Sequence, residues 1–407
     1  MSSENSLAAP VPVHIERPAT GGAVGRLPDG RVVFVRHTLP GEFVNVRVTE
    51  TTASFSRGDA VEVLEASPER VKAPCNFAYP GGCGGCDLQH ASKTAQYNWK
   101  KALVTEHLKR IAGIDYDVTI SAPEGSGEGS RTRLRCSVNE DGQLCLHLSR
   151  SHELIAIDAC WIANSKFAPA FQTSWDGAEE VELRAIGDGE PFAVSRRETH
   201  RGTIYEITSL HGEPLEPSTQ SRVEVQGHYF SVGPRAFWQS HQDAPEMLLS
   251  KVLEFADVKT GDHVVDLFSG VGLFAVPLAK AVGPTGKVTA VESSAYAVRD
   301  ARQNGDGLRH LKVKEWAVTP RSINDSVAPG DVVVLDPPRS GLAKGVVDAL
   351  VRREPRRVVY VSCDAATFAR DLKLLLAGGY ELKKLEAFDL FPMTEHVELV
   401  ALLDKSL

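Results

Sequence analysis

Two apolar runs each deliver a reactive side chain at their carboxyl end. The run DVVVL, 331–335, leads into Asp336-Pro337-Pro338-Arg339, and RVVYVSC, 357–363, brings in Cys363. In a sheet of parallel strands, ligands bind outside the carboxyl ends, so Asp336 and Cys363 can converge on one ligand although 27 positions separate them. The prolines stiffen the loop and remove backbone donors. A third candidate lies in FPMTEHVE, 391–398, where His396 and Glu398 are two apart on an expected strand and so share a face; either could serve as a base beside a thiol. A fourth is VVDLFSGVGLFA, 264–275, a strand that breaks into a glycine turn and opens a helix. Gly270 and Gly272 let a ligand approach the backbone, and the helix start offers unpaired N–H groups. Glu292 closes the next strand, where a carboxylate can accept ribose hydroxyls. Because Gly270, Gly272 and Ala275 also satisfy G-x-G-x-x-A, a dinucleotide-dependent dehydrogenase is a rival reading.

Cysteine supplies a separate signal. Cys75-x7-Cys83-x2-Cys86 sits in a Pro/Gly-rich loop, with Cys160 further on. Four thiolates hold either zinc or a four-iron cluster, and spacing alone does not choose. Cys136 and Cys145 fall in alternating runs and read as core. Seven cysteines in 407 residues are too few for a disulfide framework.

The elements that must position these groups fall into four stretches. Residues 1–10 are small and polar and read as a flexible tail. Short β-rich runs over 11–66 (VPVHIER, RVVFVRHTL, EFVNVRVTE, DAVEVLEAS), punctuated by Gly/Pro turns, predict a small antiparallel barrel. Region 67–236 begins with the cysteine loop, where no packed element fits. An amphipathic helix over 91–112 follows, with Tyr97, Leu103, Val104, Leu108 and Ile111 inward and Lys100 among the polar residues; beyond it the pattern is mostly β. From 237 to 407 strands and helices alternate, the pattern of a doubly wound parallel sheet, ending in two strands joined by FPMTE that suit an antiparallel pair. The fold class is therefore α/β: a C-terminal Rossmann-like domain, an N-terminal β-barrel and a β-rich centre.

Composition limits the partners. Lys and Arg total 45 against 53 Asp and Glu, a net charge of −8, so any nucleic acid must be held by local basic patches such as Arg131, Arg133, Arg135 and Arg150. No apolar run approaches the about 20 residues a membrane helix needs. No secretory signal is visible, and a cytoplasmic monomer without membrane attachment is expected.

Taken in order, AFWQ, DLFSGVGLF, DPPRSG, VSCDAATFARDL and FPMTEHVE resemble the RNA uracil-C5 methyltransferases, over most of the chain. The resemblance implies a TRAM-like barrel, an S-adenosylmethionine-dependent domain and structured transfer or ribosomal RNA as substrate. It makes Cys363 the nucleophile and Glu398 the base, Gln239, Phe268, Glu292 and Asp336 cofactor contacts, and Cys75, Cys83, Cys86 and Cys160 ligands of a [4Fe–4S] cluster. Two departures stand out: the spacer between Cys75 and Cys83 is longer than is usual in the family, and Leu273 replaces an asparagine found in some ribosomal-RNA members.

That chemistry accounts for the residue types. Carbon 5 of uracil is a poor nucleophile; thiolate addition at carbon 6 makes it enolate-like, and a base must then remove the carbon-5 proton to release the enzyme. The alternatives are an RNA cytosine-C5 methyltransferase, in which a cysteine usually accompanies the Asp-Pro-Pro region where this chain has Arg339, and a non-catalytic RNA-binding or folding factor.

Overall fold

The computed structural model describes residues 9–125 and 127–406, so most of the expected N-terminal tail, together with Ser126 and Leu407, lies outside the described residues. The chain divides into two compact units. The first comprises residues up to 103 together with 145–161 and 391–396, and the second holds the remainder.

In the first unit, β1 (Val11–Ala19), β2 (Gly22–Arg26), β3 (Val32–Arg36), β4 (Phe43–Thr51) and β5 (Phe55–Glu65) close a barrel in the order β1-β2-β3-β5-β4. Alternation along β3 and β5 sends every second side chain inward, and Val13, Val33, Val35, Val44 and Val46 fill the interior. The barrel departs from the expected antiparallel pattern at one seam, where β3 and β5 run parallel. Leu88, Trp99 and Leu103 join its core. Trp99 and Leu103 lie on α1 (Lys93–His107), whose first turn is capped by the Ser92 hydroxyl accepting from the Ala95 N–H. The helix ends earlier than periodicity predicts, passing into one π turn over Leu108–Ala112 that stops at Gly113 in the left-handed conformation. Lys100, expected on the polar face, is fully buried and donates to the Phe391 carbonyl at 2.9 Å.

The chain continues through β6 (Ile120–Ser121), β7 (Arg133–Val138), a hairpin of β8 (Leu144–His147) and β9 (Leu154–Ala156), then β10 (Glu180–Arg184), β11 (Phe192–Thr199) and β12 (Gly202–Ser209). In the second unit β7, β10, β11 and β12 pair antiparallel, matching the expected β-rich centre. A further hairpin, β13 (Ser221–Val225) and β14 (His228–Val232), leads to α2 (Ala244–Ala256).

The alternating region then supplies β15 (His263–Leu267), α3 (Ala275–Val282), β16 (Lys287–Glu292), α4 (Ala295–Asn304), β17 (Leu311–Glu315) and α5 (Pro320–Ser326). After these come β18 (Val332–Leu335), α6 (Val346–Arg353), β19 (Arg357–Ser362), α7 (Ala365–Ala377), β20 (Tyr380–Phe388) and β21 (Glu398–Lys405). Sheet order is β17-β16-β15-β18-β19-β21-β20-β6, with β15 to β19 parallel and β21 antiparallel to both neighbours. Both faces are covered, which is why these strands read as unbroken apolar runs. Val264, Val332, Val334, Val359 and Val361 face one core, while Val265, Val333, Leu335, Val358 and Tyr360 face the other. Strand order reverses direction between β15 and β18, and that crevice is where such folds bind ligands.

Candidate active site

The glycine turn leaves β15 through Phe268, whose φ of +62° is unusual for an aromatic residue. The Phe268 and Ser269 N–H groups donate to the Val291 carbonyl at 2.9 and 3.2 Å, tying the turn to β16. Gly270 has φ +52° and a Cβ there would meet nothing within 4 Å. Gly272 has φ +92°. Open space thus lies over the turn, in reach of backbone N–H groups at the start of α3.

Glu292 ends β16 as expected. One carboxylate oxygen accepts from the Gly270 N–H at 3.0 Å; the other accepts from the Ser293 and Ser294 N–H groups at 2.7 Å each. The oxygen on Gly270 keeps acceptor capacity for a hydroxyl. Beneath the turn lie two polar groups that sequence reading passed over. Asp266 is wholly buried, and the one hydrogen bond that steadies its charge comes from the Ala275 backbone N–H; the Ser269 hydroxyl is buried and, among the described residues, has no partner. Burial, reinforced by Asp336 and then Glu292, holds the Asp266 carboxyl well above the usual range. The only sequence signal was a carboxylate inside the apolar strand HVVDL. A buried, unpartnered hydroxyl under an open turn, with the Glu292 carboxylate beside it, forms a cradle suited to a polar nucleoside cofactor.

Gln239 arrives from a different quarter. Its loop is laid on the middle sheet by buried Arg184, which donates to the Pro234 and Ala236 carbonyls, and by Arg133, which donates to the Trp238 carbonyl at 2.8 Å. The Gln239 amide then donates to Asp336 at 3.2 Å. Asp336 follows β18 directly, and its loop is pinned to α7 through Asp371, which accepts from the Leu342 N–H and the Tyr360 hydroxyl at 2.8 Å each. Burial raises the Asp336 carboxyl from 3.8 to about 7, opposed by the Gln239 hydrogen bond.

Cys363 is the residue after β19. The last paired residues of β19 and β21 are Ser362 and Leu399; Cys363 follows the first and Glu398 precedes the second, so both lie at the same end of this ladder. Glu398 is 2% exposed, while Cys363 is half-buried. Burial and the Asp336 charge raise the Glu398 carboxyl well above its ordinary value, and Arg339 pulls it down. Burial, then Glu398 and Asp336, push the Cys363 thiol up to about 12, again against Arg339. Arg339 is therefore a further member of the site that sequence reading had used only to mark the absence of a cysteine. His396 is not: β21 begins at Glu398, so the expected shared strand face does not form, and the His396 ring meets Phe391 edge-on at 6.1 Å.

In the first unit, Cys75, Cys83, Cys86 and Cys160 are all half-buried and outside any disulfide. Burial pushes the Cys86 thiol up to about 12, with a hydrogen bond to Gln89 opposing and Cys160, Cys83 and Cys75 adding to the rise, so the four lie within electrostatic reach. The Gly85 and Phe77 N–H groups donate to the Cys83 and Cys75 sulfurs at 3.3 and 3.4 Å. The loop is fastened to the neighbouring hairpin where the Gly84 N–H donates to the His147 carbonyl at 3.1 Å. Among the described residues no group of three or more His, Cys, Asp or Glu side chains is arranged to hold a single metal ion.

Residues 10–61 match the TRAM domain family, 323–406 the tRNA (uracil-5-)-methyltransferase family, and 230–358 the methyltransferase small domain. An uncharacterized RNA methyltransferase of Streptomyces avermitilis is 39% identical, over 94% of this chain and 95% of that one. The 23S rRNA (uracil(1939)-C(5))-methyltransferase RlmD of Acinetobacter baylyi is 30% identical over 92% of this chain and 89% of its own. The crystal structure of Pyrococcus abyssi tRNA (uracil-54, C5)-methyltransferase, in complex with S-adenosyl-L-homocysteine, superposes with a TM-score of 0.71 at 25% identity, covering 96% of this chain and 99% of the other. A dehydrogenase would leave the Asp-Pro-Pro loop and Cys363 without a task, and no dehydrogenase appears among these relatives. Matched along nearly its whole length, from the N-terminal barrel to the C-terminal sheet, the chain belongs to the TRAM-domain RNA (uracil-5-)-methyltransferases.

Proposed function

We propose that the enzyme methylates carbon 5 of a uridine in a folded ribosomal or transfer RNA through a transient bond between Cys363 Sγ and carbon 6, with Glu398 removing the carbon-5 proton. The observation that supports this reading is that Cys363 and Glu398 flank Ser362–Leu399, the last pair of the β19–β21 ladder, with Asp336 close enough for its charge to act on both.

S-adenosylmethionine supplies an electrophilic methyl group. Around it, Glu292 offers a carboxylate oxygen, Gly270 leaves room, and Gln239, Phe268, Gly272 and Asp336 line the approach. The target uridine leaves its stack at a cost of roughly a few kcal/mol. At about 12, the Cys363 thiol is neutral at physiological pH, so its proton must depart as sulfur adds. Asp336, near 7, can accept it. As the S–C6 bond forms, the C5=C6 electron pair moves onto the carbon-4 carbonyl, and Arg339 stands near enough to favour that negative charge. Carbon 5 would then form a bond to the methyl carbon as the sulfonium–methyl bond breaks, its electron pair staying on sulfur in the departing S-adenosylhomocysteine. Glu398 accepts the carbon-5 proton, the C5=C6 bond re-forms, and the S–C6 bond breaks to return the thiolate. Burial suits Glu398 to this step, because a carboxylate of raised proton affinity is a stronger base once ionised.

The four cysteines of the first unit are proposed to hold a [4Fe–4S] cluster in a structural role. What supports this is the mutual electrostatic influence of the four thiols and the backbone N–H groups directed at the Cys75 and Cys83 sulfurs; four thiolate ligands would leave no open iron for chemistry.

Mapping 5-methyluridine in total RNA from a deletion strain and its parent tests the function. The expected result is loss at defined uridines, restored by purified protein and S-adenosylmethionine; an unchanged map would overturn the reading.

A further inference from the structure

One charged surface in the second unit takes no part in the chemistry above. The register of the middle sheet aligns Arg135 with Glu182 and Val194, and the Glu180–Arg196 pair with Tyr205, on a single face. The 234–237 loop and Tyr296, in the first turn of α4, wall this face into a cavity of about 500 Å³. That volume suits one nucleotide-sized ligand.

Five arginines line it, and four are compensated. Arg133 and Arg184 pair with Glu182, Arg135 with Glu180 and Glu182, and Arg196 with Glu179 and Glu198. Arg235 differs. It is exposed, and among the described residues no carboxylate pairs with it. Its guanidinium lies instead 3.9 Å from the Tyr205 ring centroid and 4.0 Å from that of Tyr296, and it donates to the Tyr296 hydroxyl. Two aromatic faces fix the orientation of the cation without neutralising it. Two residues on, Phe237 is 55% exposed, with the Arg133 guanidinium 5.0 Å from its ring centroid.

We infer that this face holds a single-stranded nucleotide of the RNA substrate flanking the target, its phosphate on Arg235 and its base stacked on Phe237. An oriented, uncompensated guanidinium suits a phosphodiester, and an exposed ring suits any base regardless of sequence. Location favours RNA over other anions: the same loop carries Gln239 to Asp336 two residues beyond Phe237, so a strand seated here leads to the reacting carboxylates. On a chain of net charge −8, a local positive site of this kind is what a polyanion requires. The inference rests on the RNA-modifying function proposed above.

The full-length protein would be titrated with a short fluorescent oligouridylate across a salt series, with S-adenosylhomocysteine by calorimetry, and assayed on RNA from the deletion strain. Arg235→Gln should weaken oligouridylate binding about fivefold to tenfold and lower the slope of log affinity against log salt by about 0.7, one phosphate's share. Phe237→Ala should weaken it about tenfold with little change in slope. Both effects should fall on KM for RNA more than on kcat, with S-adenosylhomocysteine affinity retained as proof of folding. Unchanged oligouridylate affinity and KM in both variants would overturn the inference, as would a loss confined to S-adenosylhomocysteine, which would assign the cavity to the cofactor. A wild-type protein that binds the oligonucleotide through Arg235 yet transfers no methyl group to uridine would overturn the proposed function and leave this inference standing.

Discussion

After burial itself, the Glu398 carboxylate is the largest influence keeping a proton on the Cys363 thiol. Nucleophile and proposed base are thus coupled before any substrate arrives, and Asp336 acts on both. In such a cluster the apparent titration values belong to the group as a whole.

A pH profile should show this coupling. With Glu398 acting as base, the rate of adduct release should rise with pH through an apparent value above the ordinary glutamate range. Asp336→Asn removes a neighbouring negative charge and should shift that limb to lower pH. Single-turnover release measured across pH checks it; a limb at the ordinary carboxylate position in the wild type would remove Glu398 from its role.

Stability should respond to the same carboxyl. Raising Asp336 from 3.8 to about 7 means that the folded protein holds this proton more tightly than the unfolded chain does. Its contribution is fully present below pH 4 and is lost as pH climbs through about 7. In Asp336→Asn that part of the pH dependence of the denaturation midpoint should disappear.

Truncating the nucleophile and muting the base should give distinct phenotypes. Cys363→Ala should abolish methylation while S-adenosylhomocysteine still binds; turnover at the normal rate would reject covalent catalysis. Glu398→Gln should slow release by about 10²- to 10⁴-fold and accumulate a protein–RNA adduct visible on denaturing gels.

Gly270→Ala separates cofactor affinity from folding. The new methyl group would project into open space, so only the left-handed backbone opposes it, at a cost of about 1 kcal/mol. S-adenosylhomocysteine affinity should fall far more than the denaturation midpoint does. Equal affinity in the two proteins would place the cofactor elsewhere.

Iron and zinc analysis of anaerobically purified protein, with its visible absorbance, addresses the cysteine loop. Iron with a broad visible band is expected, and Cys86→Ala should lose both and lower the thermal midpoint. Zinc, or neither metal, would end the cluster proposal.

What could be read without coordinates was local. Asp336, Cys363, Gly270 and Glu292 all sit where a strand ends, and an apolar run followed by a reactive residue reveals that much. Partners distant in sequence were not legible. Lys100 occupies a polar position by helical period, yet it is fully buried and donates to the Phe391 carbonyl, 291 positions away. The β2 strand, GAVGR, buries four residues in a row and so shows no alternation to read, and two of its five residues are glycine. His396 falls outside β21 because the turn over 391–396 runs to the doorstep of Glu398. Asp266 reads as one polar residue in a strand, and only its complete burial beside Asp336 and Glu292 marks it as part of the site.

The eight-stranded sheet also disposes of its own borders. At one margin β6 covers Ala387 and Phe388 of β20, and at the other β17 carries Lys312 and Lys314 along its ladder. Bare hydrogen-bonding rims invite strand addition by a neighbouring molecule, and a short cover on one side with lysines on the other discourages it. A protein built this way can be concentrated around a crowded RNA substrate with little tendency to stack, edge upon edge, into fibrous aggregates.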